Sequence, residues 1–196
     1  AFGDIAAKAR PQDAFIFYYA GHGVMSEGSA DAAAEFFLVP TDVVQIYGND
    51  AALARDGLSA SRLRELSVTV PANKQLFVMD ACQSGGAVEA FSVRGAAEER
   101  AVAQLARSSG VVVLAASESE QFAAEVPKIG HGVFTYALIA GLGGEADGGK
   151  DGKVTVRELE AYLNDRVPEL TTQYRGSPQY PTSFSRGQDF PLAAPR

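Results

Sequence analysis

The sequence predicts an α/β fold built around a parallel sheet. Three short apolar runs, rich in β-branched and aromatic residues, occupy positions 14–19, 75–79 and 111–116. Their apolar residues are continuous rather than alternating, which is typical of strands that are buried on both faces. Helical patterns lie between and after these runs, and strands that alternate with helices favour parallel pairing.

The remaining elements are predicted from apolar spacing, capping residues and breakers. A short edge strand or hairpin is expected at 36–40, because a proline at its end cannot donate a ladder hydrogen bond. The tail at 173–196 is rich in Pro, Gly, Ser and Gln and has no clear period, and no internal repeat is present. The predicted helices are one capped by Ser59, one at 96–107, one at 133–142 ended by glycines, and one at 155–167 stopped by Pro168.

Length and composition are those of one globular domain. The chain has 196 residues, a formal net charge of −7 and a single cysteine. Negative charge gives no general attraction for nucleic acid or an anionic membrane, and no apolar run has membrane-spanning length. One cysteine cannot form an internal disulfide, which fits a reducing compartment. With no basic–apolar signal segment at its start, the chain is predicted to be cytoplasmic.

Each apolar run leads directly into a loop with chemically reactive side chains. The first loop carries His22, the second carries Asp80 and Cys82, and the third carries Ser117 and Glu118. Ligands of open parallel sheets bind outside the carboxyl ends of the strands. If the three strands are parallel, these loops meet at one edge of the sheet.

Cys82 and His22 together have the residue types that cysteine catalysis requires. Such catalysis needs a thiolate, a nearby imidazole and hydrogen-bond donors for an oxyanion. Cys82 is the candidate nucleophile, His22 the candidate base, and the amides of Gly23 and Cys82 the candidate oxyanion donors. Taken singly, Cys82 is equally well interpreted as a small buried hydrophobe and His22 as a structural imidazole.

Two motifs connect these residues to a known family. The sequence Tyr-Tyr-Ala-Gly-His-Gly at 18–23 and the sequence Asp-Ala-Cys-Gln-Ser-Gly at 80–85 resemble the caspase-like clan of cysteine peptidases. Bacterial members and metacaspases are the most similar, and the stretches 115–125 and 130–136 also resemble bacterial members. The resemblance covers most of 15–192.

The resemblance implies a caspase–haemoglobinase-like three-layer sandwich with a mostly parallel central sheet, in a single domain spanning 1–196. It implies hydrolysis of peptide bonds through a thioester on Cys82, with His22 as base and no required cofactor. Such a fold normally has two strands and a helix before the His-bearing strand. The domain is therefore expected to be incomplete at its N-terminus, with an upstream fragment or a fused sensor domain as a partner.

The expected role is regulated proteolysis in bacterial stress or defence signalling. Two other functions stay open at this point. One is a catalytically inactive caspase-like scaffold or signalling module, and the other is an acyl-transfer enzyme, such as an amidase, that uses the same two residues.

The resemblance also implies a substrate preference. Asp80 stands where metacaspase-like enzymes carry an aspartate that lines the S1 pocket, and a carboxylate there favours Arg or Lys. The expected partner is therefore a polypeptide with a basic P1 residue. Ser117 and Glu118 are further candidate substrate contacts, although a solvated loop is the better explanation of Glu118. The alternative for Asp80 is that it caps a loop amide.

Family members often process themselves between the Cys-bearing strand and the next strand. Arg94, followed by a glycine, is the candidate autocleavage residue in that connection. Arg100 and Arg107 compete with it, and a merely flexible loop explains the same sequence.

A loop at 147–158 partly matches the EF-hand calcium loop. Asp147, Asp151 and Glu158 occupy ligand positions one, five and twelve, whereas position three is Gly149 and supplies no side-chain ligand. Calcium is therefore a candidate cofactor. The competing explanation is that Thr155 and Glu158 form a capping box at the start of a helix.

Two other polar residues were considered as catalytic groups. His131 lies between two glycines at a predicted helix start, which favours a packing role. Ser84 suggests a serine hydrolase, but Cys82 has the better-marked position.

Overall fold

The computed structural model describes residues 1–28, 33–43, 49–82, 84–92, 110–116, 125–126 and 131–195. In chain order the elements are α1 (Phe2–Ala6), β1 (Ala14–Met25), β2 (Phe36–Val39), α2 (Asp50–Asp56), β3 (Leu58–Ser59), α3 (Ala60–Thr69), β4 (Lys74–Ala81), α4 (Gly85–Ser92), β5 (Gly110–Ala115), β6 (Glu125–Val126), β7 (His131–Gly132), α5 (Val133–Ala140), a π-helical turn (Gly141–Glu145), β8 (Val154–Thr155), α6 (Val156–Arg175), β9 (Thr182–Arg186) and β10 (Pro191–Ala193).

The described strands form a central sheet of six strands in the order β3-β2-β1-β4-β5-β9. β1, β4 and β5 pair in parallel, as the sequence predicts. β2 and β9 run antiparallel to their neighbours β1 and β5. β4 and β5 end at the same edge of the sheet. β1 continues past that edge to Met25, so the prediction that His22 lies in a loop is wrong and His22 lies within β1, paired with Val39 of β2.

Helices cover both faces of this sheet. Side chains alternate between the two faces of a strand, and β4 shows the division clearly. Leu76 and Val78 pack with α5 and α6 in one apolar cluster, whereas Phe77 and Met79 pack with α3 and α4 in another. This arrangement confirms the three-layer α/β sandwich.

α6 corrects one prediction, because it does not stop at Pro168 but continues through it to Arg175. A proline inside a helix removes one backbone hydrogen bond. Leu170 and Thr171 follow it and are only 3% and 1% exposed, so their burial offsets the lost bond. Within the described residues, no helix combines the length and the apolar character needed to cross a membrane.

Other predictions met mixed outcomes. Ser59 caps α3, accepting a hydrogen bond from the Arg62 amide at 3.1 Å. β2 is a strand, but it lies between β1 and β3 with all four residues buried, so it is not at the edge. The tail, whose sequence has no clear period, supplies β9 to the central sheet. The predicted helix at 96–107 lies outside the described residues.

Candidate active site

The register between β1 and β4 brings His22 and Cys82 to neighbouring positions. The last paired residues of these parallel strands are Gly21 and Ala81. His22 and Cys82 each come one residue later, at the carboxyl edge of the sheet. His22 is exposed, and Cys82 is a free, half-buried cysteine. The two residues that the sequence nominates as base and nucleophile therefore lie at the same level, His22 within β1 and Cys82 directly after β4.

Gly23 allows the backbone of β1 to approach the loop that carries Cys82. A Cβ atom on Gly23 would lie 2.5 Å from the carbonyl oxygen of Cys82 and 2.6 Å from Cε2 of Phe36. A Cβ on Gly86, in the first turn after the cysteine loop, would lie 2.8 Å from Cβ of Phe36. Phe36 is 1% exposed, so its buried side chain lies against both glycines. Glycine is required at 23 because any side chain would push β1 and this loop apart.

Tyr19 contacts the backbone of His22 through its hydroxyl group. The Tyr19 Oη atom lies 2.9 Å from the carbonyl oxygen of His22 and 2.9 Å from that of Val39. His22 and Val39 are register partners in the β1–β2 pair. Burial raises the pKa of the Tyr19 phenol, so the hydroxyl keeps its proton at neutral pH and acts as the donor.

Asp80 is nearly buried and binds the start of α5. Asp80 is only 9% exposed. Its Oδ2 atom accepts hydrogen bonds from the Thr135 amide at 3.2 Å and from the Thr135 hydroxyl. The N-cap residue of α5 is Gly132, which has no side chain to cap the helix. Asp80 supplies that acceptor from β4, so the capping role considered from the sequence is observed, with a helix amide as the donor.

Gly132 and Tyr18 lie beside the contact between Asp80 and Thr135. A Cβ atom on Gly132 would lie 2.5 Å from Oδ2 of Asp80. The Tyr18 hydroxyl lies 2.8 Å from Oγ1 of Thr135. Alternation along β4 puts Asp80 on the same face of the sheet as Leu76 and Val78, two residues before Cys82.

The remaining candidate residues from the sequence either lie outside the described residues or have other structural positions. Ser117, Glu118 and Arg94 lie outside the described residues. His131 contributes backbone pairing to β7, opposite Val126. Ser84 has no exposed surface, whereas Cys82 is partly exposed.

The loop at 147–158 contains the capping box that competes with the calcium interpretation. Thr155 Oγ1 accepts from the Glu158 amide at 3.3 Å, and Glu158 Oε2 accepts from the Thr155 amide at 2.9 Å. Oε1 of Glu158 accepts from the Gly149 amide at 2.9 Å. The bonds from the Thr155 and Gly149 amides lower the pKa of Glu158. The capping box is confirmed.

The first carboxylate of this loop is also bonded to backbone. Asp147 accepts from the amides of Asp151 at 3.2 Å and Gly152 at 2.9 Å. Among the described residues, no three His, Cys, Asp or Glu side chains are grouped to hold a metal ion. Calcium binding at Asp147, Asp151 and Glu158 stays a prediction.

Sequence reasoning did not identify Tyr19, Phe36 and Thr135 as parts of the site. Tyr19 lies in the motif at 18–23 and Phe36 in an apolar run, but the local sequence assigns neither of them a role in the site. Thr135 is the third residue after a helix-start glycine, where a polar side chain is a weak signal of a capping contact. Their contacts depend on long-range packing rather than on local pattern.

Comparison with known families defines the class of protein. The family model described as the caspase domain matches residues 1–189. The chain therefore belongs to the caspase domain family, whose members are cysteine-type peptidases, and it is a hydrolase that acts on polypeptides. A comparison with curated proteins gives no match.

Proposed function

We propose that this protein is an endopeptidase that cleaves after Arg or Lys and uses a His22–Cys82 dyad. The observation that carries the proposal is the pairing of Gly21 with Ala81, which brings the next residue of each strand to the same level. A Cβ atom placed on Gly23 would lie only 2.5 Å from the carbonyl oxygen of Cys82, and this close approach of the two backbones supports the proposal. Both observations concern backbone positions, so they do not depend on the rotamer of the His22 or Cys82 side chain.

The proposed chemistry is acyl transfer through a thioester. His22 takes the thiol proton, and the Cys82 sulfur attacks the scissile carbonyl carbon. The amides of Gly23 and Cys82 donate to the resulting oxyanion. Collapse breaks the carbon–nitrogen bond, and the leaving amine takes the proton from His22. A water molecule, deprotonated by His22, then hydrolyses the thioester and restores the thiol.

The β1–β2 ladder supports Gly23 as an oxyanion donor. The Ser26 amide donates to the Glu35 carbonyl at 2.8 Å, which makes this pair a hydrogen-bonded one. Hydrogen-bonded and non-hydrogen-bonded pairs alternate along antiparallel strands, so Gly23 and Leu38 form a non-hydrogen-bonded pair. The Gly23 amide is then directed away from β2, toward the side of β1 where Cys82 lies.

The proposed preference for Arg or Lys rests on Asp80. Its carboxylate, two residues before Cys82 in the chain, is almost excluded from water and is held by Thr135. A desolvated carboxylate attracts a cationic side chain more strongly than an exposed one, and it forms charge-assisted hydrogen bonds with it. Ser117 and Glu118 are proposed as further contacts in the neighbouring loop.

The dyad is tested with fluorogenic peptides that differ only in P1. Wild-type protein should cleave the Arg and Lys peptides, and Cys82→Ala and His22→Ala should lose this activity. An Arg fluoromethylketone should label Cys82 in the wild type alone. Failure of the probe to label Cys82, together with no turnover of any peptide, would instead support an inactive scaffold.

The role of Asp80 is tested by separating its charge from its capping bond. Asp80→Asn keeps an oxygen that can accept from Thr135 but removes the charge, whereas Asp80→Ala removes both. Both variants should lose cleavage after Arg, and Asp80→Asn should retain the thermal stability of the wild type more fully. Unchanged kinetics of Asp80→Asn on an Arg peptide would exclude charge selection.

Autoprocessing after Arg94 is proposed as a property of the active enzyme. Intact-mass spectrometry should find a cut between Arg94 and Gly95 in wild-type protein and none in Cys82→Ala. Arg94→Ala should abolish that cut, whereas a cut after Arg100 or Arg107 would exclude Arg94.

Calcium binding at Asp147, Asp151 and Glu158 is proposed for the loop at 147–158. Binding requires Glu158 to exchange its bonds to the Thr155 and Gly149 amides for the ion. Titration calorimetry should detect calcium binding by wild type and a weaker response from Glu158→Gln. Identical heats for both proteins would exclude this site.

A further inference from the structure

We propose that Tyr19 is a positioning residue that holds the backbone of His22 in its catalytic orientation. This inference rests on the proposed function, in which His22 is the catalytic base. It concerns a residue that contacts neither substrate nor nucleophile in the proposed mechanism. Its action is through the carbonyl group of His22, to which the Tyr19 hydroxyl donates at 2.9 Å.

His22 needs such a restraint because of its neighbours in the chain. It lies between Gly21 and Gly23, and glycine allows more backbone conformations than any other residue. His22 is the first residue of β1 that pairs with β2, so the ladder supports its backbone on the C-terminal side. Productive general-base catalysis requires the imidazole within hydrogen-bond reach of the thiol.

The Tyr19 hydroxyl provides the restraint at the point where β1 meets β2. Its oxygen lies 2.9 Å from the carbonyl oxygens of both His22 and Val39, which are register partners on the two strands. One hydroxyl proton is thus shared between two carbonyl groups. A rotation of the His22 peptide would move its carbonyl away from this donor and lose the bond.

Gly21 is required by the same contact. A Cβ atom at this position would lie 2.7 Å from the Tyr19 oxygen and 2.9 Å from its Cζ atom. The aromatic ring of Tyr19 therefore occupies the space that a side chain on Gly21 would fill. The two glycines beside His22 have separate functions, since Gly21 admits the Tyr19 hydroxyl and Gly23 admits the Cys82 carbonyl.

The test is Tyr19→Phe, which removes a single oxygen and retains the ring. We expect kcat to fall on the order of 10- to 100-fold, because small displacements of a catalytic group have effects of that size. KM for the same peptide should not change, and alkylation of Cys82 by iodoacetamide at pH 7 should slow. The matched control is Tyr162→Phe, which removes a hydroxyl bonded to Glu145 at 2.6 Å, outside the site.

The outcomes separate this inference from the proposed function. Wild-type kcat in Tyr19→Phe beside an inactive His22→Ala would overturn the inference and leave the dyad standing. Full activity in His22→Ala would overturn the dyad itself. A fall in the melting temperature of Tyr19→Phe below that of Tyr162→Phe, with kcat and KM changed together, would show a merely structural role and also overturn the inference.

A second variant covers the case in which Tyr19→Phe does not fold. Gly21→Ala keeps the hydroxyl but displaces it from His22 and Val39, since the added Cβ would lie 2.7 Å from it. The same loss of kcat at unchanged KM is expected. Wild-type kinetics in this variant would contradict the inference.

Discussion

The backbone carbonyl of Cys82 lies 2.5 Å from the point where a side chain on Gly23 would begin. This distance is too short for any real Cβ contact, so β1 and the loop that carries Cys82 come together only because residue 23 is glycine. Phe36 closes the other side of the same space, at 2.6 Å from that point. The geometry of the candidate site therefore depends on the absence of a side chain at residue 23.

Gly23→Ala should separate β1 from the loop that carries Cys82 and reduce activity. A displacement of about 1 Å at a catalytic group can cost about 100-fold in rate, and we expect kcat/KM to fall by roughly that factor. Overpacking against Phe36 should also lower the free energy of unfolding by about 1–3 kcal/mol. Peptide turnover and urea denaturation measure the two effects.

The matched control for that variant is Gly143→Ala. A Cβ on Gly143 meets no atom within 4 Å, so this substitution should leave both turnover and stability close to those of the wild type. Equal behaviour of the Gly23 and Gly143 variants would contradict the close contact between β1 and the loop that carries Cys82.

Thr135→Val should weaken binding of substrates with Arg at P1. The substitution keeps the side-chain volume but removes the hydroxyl that bonds to Asp80 and to Tyr18. The carboxylate then loses one of the donors that hold it in position, and KM for an Arg peptide should rise several-fold. Alkylation of Cys82 by iodoacetamide should not change.

Thr135→Ser is the control for the Thr135→Val prediction, because serine restores the hydroxyl. It should return KM toward the wild-type value. If the valine and serine variants have the same KM as the wild type, the bond to Asp80 has no role in substrate binding.

The stability contributed by Glu158 should depend on pH. Hydrogen bonds from the Thr155 and Gly149 amides lower the folded-state pKa of Glu158 below its ordinary value of 4.5. A group whose pKa is depressed by folding stabilises the protein above its unfolded pKa, and this stabilisation is lost as the pH falls through the folded pKa. The advantage of wild type over Glu158→Gln should therefore be full at pH 7 and decrease below about pH 4.5.

Melting temperatures of both proteins between pH 7 and pH 3 measure this effect. The two curves should converge at acid pH. A constant difference across the range would mean that the charge of Glu158 does not stabilise the start of α6.

Pro168→Ala should stabilise the protein, because α6 passes through this position. Alanine restores a backbone N–H that proline lacks and removes the clash of the ring with the preceding turn, effects that together amount to about 3 kcal/mol in a helix interior. Proline also restricts the unfolded chain, and the loss of this restriction in the alanine variant should reduce the gain in stability by about 1 kcal/mol. A melting temperature below that of the wild type would show that α6 does not continue through Pro168.

The sequence predicted the central strands and the edge at which the site lies. Continuous apolar runs are typical of strands buried on both faces, and β1, β4 and β5 were predicted from them alone. Parallel strands end at the same edge, so His22 and Cys82 were predicted to lie close together there. The start of α6 was also predicted, because Thr155 and Glu158 form a capping box between residues three apart.

What the sequence did not determine depends on contacts between distant residues. β9 comes from a tail with no apolar period, and it is a strand because β5 offers it an open edge. α6 continues beyond Pro168 because the residues on its far side are buried against the sheet.

The candidate site shows the same contrast, because some of its features follow from local sequence pattern and others from packing. The sequence by itself nominated His22 and Cys82 as candidate base and nucleophile and predicted that they share one edge of the sheet, because these inferences need only residue types and the apolar runs that precede them. Only the tertiary structure decided how the site is held, with Tyr19 on His22 and Thr135 on Asp80. These contacts are set by the register and packing of elements far apart in sequence, which no local pattern encodes.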